Sequence, residues 1–112
     1  ILLPQGVGSL ADKFLSFSKT GTGSAVAVYT VPTANEGAVP PVYPTTALVK
    51  SIRLSNQTGG AVATTVSMID ASNSSLEIPI TVYAPIVLEQ ADSIKITGTG
   101  ITILISLMEI SL

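Results

Sequence analysis

The sequence predicts an all-β protein, an antiparallel sandwich or barrel, on three observations. Its apolar runs are short and rich in β-branched residues, several of them alternate apolar and polar positions, and Gly, Pro, Asn, Ser and Thr gather between them. With 112 residues there is room for one domain and one core.

In chain order, residues 9–19 (SLADKFLSFSK) read two ways. Ser9 and Asp12 suit the start of a short helix presenting Leu10, Phe14 and Phe17, whereas Leu15 and Phe17 alternate as in a strand. The expectation is an N-terminal arm over 1–23 that includes a strand near 15–19, followed by a sandwich domain over 24–112. Residues 24–31 form a strand with Val26 and Val28 as its core positions. Residues 32–45 (PTANEGAVPPVYPT) hold four prolines and form an extended loop, because proline breaks ladders and helices alike. In VKSIRLS, 49–55, Ile52 and Leu54 face inward and Ser51 and Arg53 outward. Strict alternation then sends Lys50 inward, so a bulge or a strand start is expected there.

Residues 56–60 (NQTGG) and 70–74 (DASNS) read as hairpin loops on either side of a strand over 61–69, with Val62, Val66 and Met68 on the core side. In LEIPITVY, 76–83, Leu76, Ile78, Ile80 and Val82 share one face. Pro79 cannot donate to a ladder, so this strand belongs at a sheet edge or bulges. SIKIT, 93–97, turns Ile94 and Ile96 inward. Along 101–110, Ile101, Ile103, Ile105 and Leu107 occupy one face while Leu104, Met108 and Ile110 occupy the other. A sandwich strand ordinarily keeps one face wet. Two apolar faces fit either a strand covered by the chain's own loops or one covered by another protein.

Composition favours the second option. Apolar residues make up 46% of the chain and charged residues 11%, against roughly a quarter charged in an ordinary soluble domain. Part of the surface is therefore expected to be covered. A membrane is not the expected cover, since the apolar stretch 101–112 carries Glu109 and falls short of the roughly 20 residues of a spanning helix. The opening ILLPQGVGSL lacks the basic start of a secretory signal. Nucleic acid is not expected either, because Lys13, Lys19, Lys50, Arg53 and Lys95 are scattered and the net charge is −2.

Catalytic chemistry has little to work with. Without His or Cys there are no Ser-His or Cys-His pairs and no imidazole or thiolate metal ligands. Asp12, Glu36, Asp70, Glu77, Glu89, Asp92 and Glu109 lie singly along the chain, so no carboxylate pair stands out. No catalytic residue, cofactor or metal is expected. TGTG occurs at 20–23 and at 97–100, each time before β-branched sequence and without the following Lys of a nucleotide-binding loop. A phosphate loop leads into a helix, so these are read as turns. Asp70 to Ser74 with Glu77 faintly suggests a calcium loop, but lacks the glycine and spacing of one. Asn56-Gln57-Thr58 and Asn73-Ser74-Ser75 match the glycosylation pattern, as any Ser/Thr-rich chain does by chance. Tyr29, Tyr43 and Tyr83 are candidates for a sugar-stacking platform.

From residue 47 onward, ALVKSIRLSNQTGGAVATTVSMID and then LEQADSIKITGTGITILISLMEIS resemble small β-sandwich proteins and domains of tailed-phage virions. The shared elements are VKSIRLSN, a hydrophobic strand, L-E-x-x-D-S-I-K-I and a closing strand ending near L-M-E-I, over about 60% of the chain. Such sequences tend to carry Gly before the Asp-Ser pair, where this chain has Ala91. The resemblance implies a jelly-roll or immunoglobulin-like module on capsids, tails or fibres. The resulting expectation is a non-enzymatic capsid decoration, or cement, protein on the virion surface. It would be a homo-oligomer, a trimer being commonest in such roles, bound to the major capsid protein or another virion protein. A tail, neck or fibre component and a carbohydrate-binding module are the alternatives. Self-association is assigned to Leu104, Met108 and Ile110, and docking to an arm presenting Leu10, Phe14, Leu15 and Phe17.

Overall fold

The alternating segments become eight strands in the computed structural model, which describes residues 12–81 and 85–111. They are β1 (Lys13–Thr20), β2 (Val26–Thr30), β3 (Thr45–Asn56), β4 (Thr65–Asp70), β5 (Leu76–Pro79), β6 (Ile86–Leu88), β7 (Ser93–Thr97) and β8 (Ile101–Ser111). Two antiparallel sheets result, ordered β1-β8-β3-β6 and β2-β7-β4-β5.

This order has a simple origin. The chain behaves as one long hairpin in which β1 pairs with β8, β2 with β7, β3 with β6 and β4 with β5. Rolling that hairpin up brings β8 against β3 and β7 against β4. The result is an eight-stranded jelly roll, which selects one of the two sandwich types expected from sequence. The turn at the hairpin's head is the Asp70 loop, where Asn73 N–H donates to the Asp70 carbonyl at 3.2 Å and Leu76 N–H to the Asn73 carbonyl at 3.1 Å.

Residues from both sheets meet in one core, including Ile103, Ile105 and Leu107 from the first and Tyr29, Val66, Ile94 and Ile96 from the second. The bulge expected at Lys50 is present as a register shift between Val49 and Ser51. It lets Val49 and Ile52 both reach the core while Lys50 stays in solvent. β5 is a sheet edge, as Pro79 requires.

Three expectations change. β1 pairs with β8 over its whole length, so residues 13–20 are an edge strand of the sandwich rather than part of a separate arm. In β2 a bulge between Ala27 and Tyr29 shifts the phase. Tyr29 and Val31 are the fully buried residues there, and Val26 and Val28 are only partly covered. The 56–60 stretch is no hairpin, because β3 and β4 lie in different sheets and the chain crosses between them.

The two TGTG segments also cross between the sheets, and they interlock. Gly21 N–H donates to the Ile101 carbonyl at 2.7 Å, Gly98 N–H to the Thr22 carbonyl at 3.0 Å, and Gly100 N–H to the Gly21 carbonyl at 3.1 Å. Gly21 lies so close to the backbone carbonyl of Gly98 that a Cβ there has no room, and Gly100 has φ +80°. The repeated glycines thus close one end of the roll.

The motif L-E-x-x-D-S closes the other end. The buried Asp92 carboxylate accepts from Ala71 N–H and from Glu89 N–H, both at 2.9 Å. Its backbone carbonyl accepts from Val31 N–H at 2.9 Å. Ala91 holds φ +68°, a conformation that suits glycine better than alanine. Ala91→Gly is expected to raise stability by about 0.5 kcal/mol, seen as a higher denaturation midpoint. A lower midpoint would count against a strained turn.

Candidate assembly interface

β8 is a central strand, and its alternation decides what each face of the first sheet looks like. Ile101, Ile103, Ile105 and Leu107 are buried in the core. Thr102, Leu104, Ser106, Met108 and Ile110 line the opposite, outward face. Directly paired residues in antiparallel strands share a face, so the register gives the rest. Met108 pairs with Phe14 of β1 on one side and with Leu48 of β3 on the other, and Leu48 pairs with Val87 of β6. Phe14, Met108, Leu48 and Val87 therefore form a row across all four strands, about 14 Å long at the usual strand spacing.

The row is open to solvent at both ends, with Phe14 74% and Val87 60% exposed. Ile110 continues it on one side. On the other, past Ser16, Ser106 and Ser51, lies Leu104, 41% exposed and flanked by Ser18 and Arg53. Beyond that the face becomes hydroxylic, with Thr20 and Thr102 joined Oγ to Oγ at 3.0 Å. The Lys50 side chain reaches across the row to place its ammonium 5.7 Å from the Phe14 ring centroid, within cation–π range.

The outward face of the second sheet is different. Register places Thr65, Ser67, Ser93, Lys95, Thr97 and Glu77 there, Glu77 accepting from the Ser67 hydroxyl at 2.9 Å. Ile69, which shares that face, is already buried within the single chain. The first sheet's outer face thus carries a solvent-open apolar row, where the apolar side chain named on the second, Ile69, is already buried.

The residues assigned to self-association, Leu104, Met108 and Ile110, all lie on the apolar face. The docking set divides. Phe14 joins the row beside Met108, whereas Leu15 and Phe17 turn inward opposite Leu107 and Ile105 and pack against the core. Both are partly buried there, and Leu10 lies outside the described residues. Sequence reasoning missed Leu48 and Val87, whose place in the row depends on strand pairing between distant segments.

Tyr29 and Glu109 make a polar contact between the sheets. The Tyr29 hydroxyl donates to Glu109 Oε2 at 2.5 Å, and the Tyr29 ring packs on Phe17 with centroids 4.8 Å apart. Burial, and then the hydrogen bond and charge of Glu109, hold this phenol far above its ordinary 10.0. The folded chain thus keeps a proton that the unfolded chain releases near pH 10. Tyr29's contribution is whole below that pH and is lost as pH rises through it. The unaltered protein is expected to lose stability above pH 10 more steeply than Tyr29→Phe, by up to about 1.4 kcal/mol per pH unit. Parallel alkaline melting curves for the two proteins would contradict the buried contact.

The same burial removes Tyr29 from any sugar platform. Tyr43 is half-buried and Tyr83 lies outside the described residues. The Asp70 loop spends its polar groups internally, Ser72 Oγ donating to Asp70 Oδ1 at 2.9 Å. Among the described residues, no three acidic side chains gather where they would hold a metal. Two surface recesses, of about 400 Å³ and 250 Å³, are lined by one carboxylate each, Glu89 and Glu109 respectively.

No family model matches the chain, and no curated protein matches it. Among solved structures, a chain from work on Bacillus endospore appendages, described as a family of disulfide-linked pili, is similar at 12% identity and a TM-score of 0.47. The likeness covers 91% of this chain and 88% of that one. The 112 residues here contain no cysteine.

Proposed function

We propose that this chain is a non-enzymatic architectural subunit that works by having the outer face of its first sheet covered by neighbouring protein. The observation that carries this reading is the apolar row Phe14–Met108–Leu48–Val87, set on the outer face of the first sheet. Its finer form is a decoration, or cement, protein of a phage head, a homo-oligomer on the capsid surface. That form rests on the resemblance of VKSIRLSN and L-E-x-x-D-S-I-K-I to virion sandwich proteins.

The mechanism is mechanical. Buried apolar surface contributes roughly 25 cal/mol per Å², and a standard interface covers about 800 Å² on each partner. Repeated over a shell, the surplus left after association costs holds neighbouring subunits together. Purified protein added to capsids stripped of accessory proteins is expected to sediment with them, and its copy number in intact particles should scale with shell area. A copy number confined to one vertex would move the protein to the tail or neck. No association with particles of any kind would remove it from the virion.

A further inference from the structure

The charges of this molecule are divided between its two sheets. Lys13, Lys19, Lys50 and Arg53 lie on strands of the first sheet, and the single acid there, Glu109, is engaged by Tyr29. Two of those cations, Lys50 and Arg53, border the apolar row and Leu104 on the outer face. A symmetric face-to-face pairing of this surface would bring the Lys50 and Arg53 side chains of both copies into one interface. Like charges so placed oppose association.

A complementary surface exists elsewhere on the same chain. β5 is one of the two edges of the second sheet, and all four of its residues are exposed. Leu76 and Ile78 align with Asp70 and Met68 on the core-facing side, yet remain 49% and 41% exposed because no further strand among the described residues covers them. Asp70 lies opposite Leu76, and Glu77, between Leu76 and Ile78 in sequence, presents its carboxylate on the other face of the same edge strand. Lys95 is the nearby cation, two strands inward on β7 and paired with Ser67, whose hydroxyl donates to Glu77. The β5 rim thus offers two large aliphatic side chains in an acidic setting. The outer face of the first sheet offers an apolar row in a basic setting.

We propose that the occupant of the apolar face is the β5 rim of a second copy of this chain, a deeper form of the architectural reading on which it rests. Such a contact is heterologous, since each copy gives one surface and receives the other. β6, which carries Val87, and β5 are each the last strand of their sheet, at the edge away from β1 and β2 respectively.

Two variants test this. Met108→Asp spoils the face and leaves the rim, and Leu76→Asp spoils the rim and leaves the face. Each is expected to be a folded monomer alone, and an equal mixture is expected to form a one-to-one pair through the two intact surfaces. As a second route, Arg53→Glu and Glu77→Lys should each weaken self-association about tenfold or more, and the double variant should recover most of the loss. If Leu76→Asp keeps the native oligomer while Met108→Asp does not, the rim is not the occupant and the architectural reading survives. If both variants are monomers that never pair on mixing, the contact is not heterologous and the inference fails. If the unaltered chain is itself a monomer, this inference and the reading beneath it fall together.

Discussion

Met108→Asp is expected to abolish self-association while leaving the jelly roll intact. Met108 lies at the centre of the outer row, between Phe14 and Leu48, and makes no part of the buried core. A carboxylate there has water available in the single chain but none in a closed apolar contact, where an unpaired charge is costly. Central apolar residues of an interface are where truncation or charge is felt most, by 2 kcal/mol or more, and about 2.7 kcal/mol is a hundredfold in affinity. Light scattering should therefore report a monomer at concentrations where the unaltered protein is associated, with the far-ultraviolet spectrum and melting temperature nearly unchanged. Retention of the native mass would mean that this face is not the contact.

Asp92→Ala should have the largest effect on stability outside the apolar core. The Asp92 side chain is 3% exposed and its two oxygens each accept a backbone N–H, from Ala71 and from Glu89. It thereby fastens the head of the long hairpin to the turn that precedes β7. Alanine leaves both N–H groups without an acceptor in a place water reaches poorly, at about 1–3 kcal/mol for each such group. The expected loss is about 2–4 kcal/mol, which for a chain of this size lowers the melting temperature by roughly 10 °C or more. Asp92→Asn should lose a large part of this as well, because its amide NH₂ faces a donor with a donor. A shift of only about 2 °C for the alanine variant would show that the clamp carries little of the fold's stability.

Much of this architecture could be read along the chain because strand alternation is a local property. The two apolar phases of 101–110 marked a strand with apolar residues on both faces. Lys50 betrayed its bulge by breaking the alternation of Ile52 and Leu54, and Pro79 marked an edge. What escaped depended on partners far away in sequence. Leu48 and Val87 join Met108 only through the registers of β3 with β8 and β6.

Residues 9–19 were ambiguous because Leu15 and Phe17 fit a strand while Leu10, Phe14 and Phe17 fit a helix. Pairing with β8 decides it, sending Leu15 and Phe17 to the core and Phe14 to the outer face. In β2 a single bulged residue moved Tyr29 into the core, against the phase expected from Val26 and Val28. NQTGG had the composition of a hairpin turn, but whether two strands pair or lie in opposite sheets is settled by the winding of the whole roll.

Sedimentation of the unaltered chain over a wide range of concentration bears most directly on the idea that neighbours complete this molecule. A discrete oligomer that dissociates only on dilution is the result expected from an apolar face closed by another copy. The mass of a single chain at every concentration, with Met108 and Val87 open to solvent throughout, would contradict it.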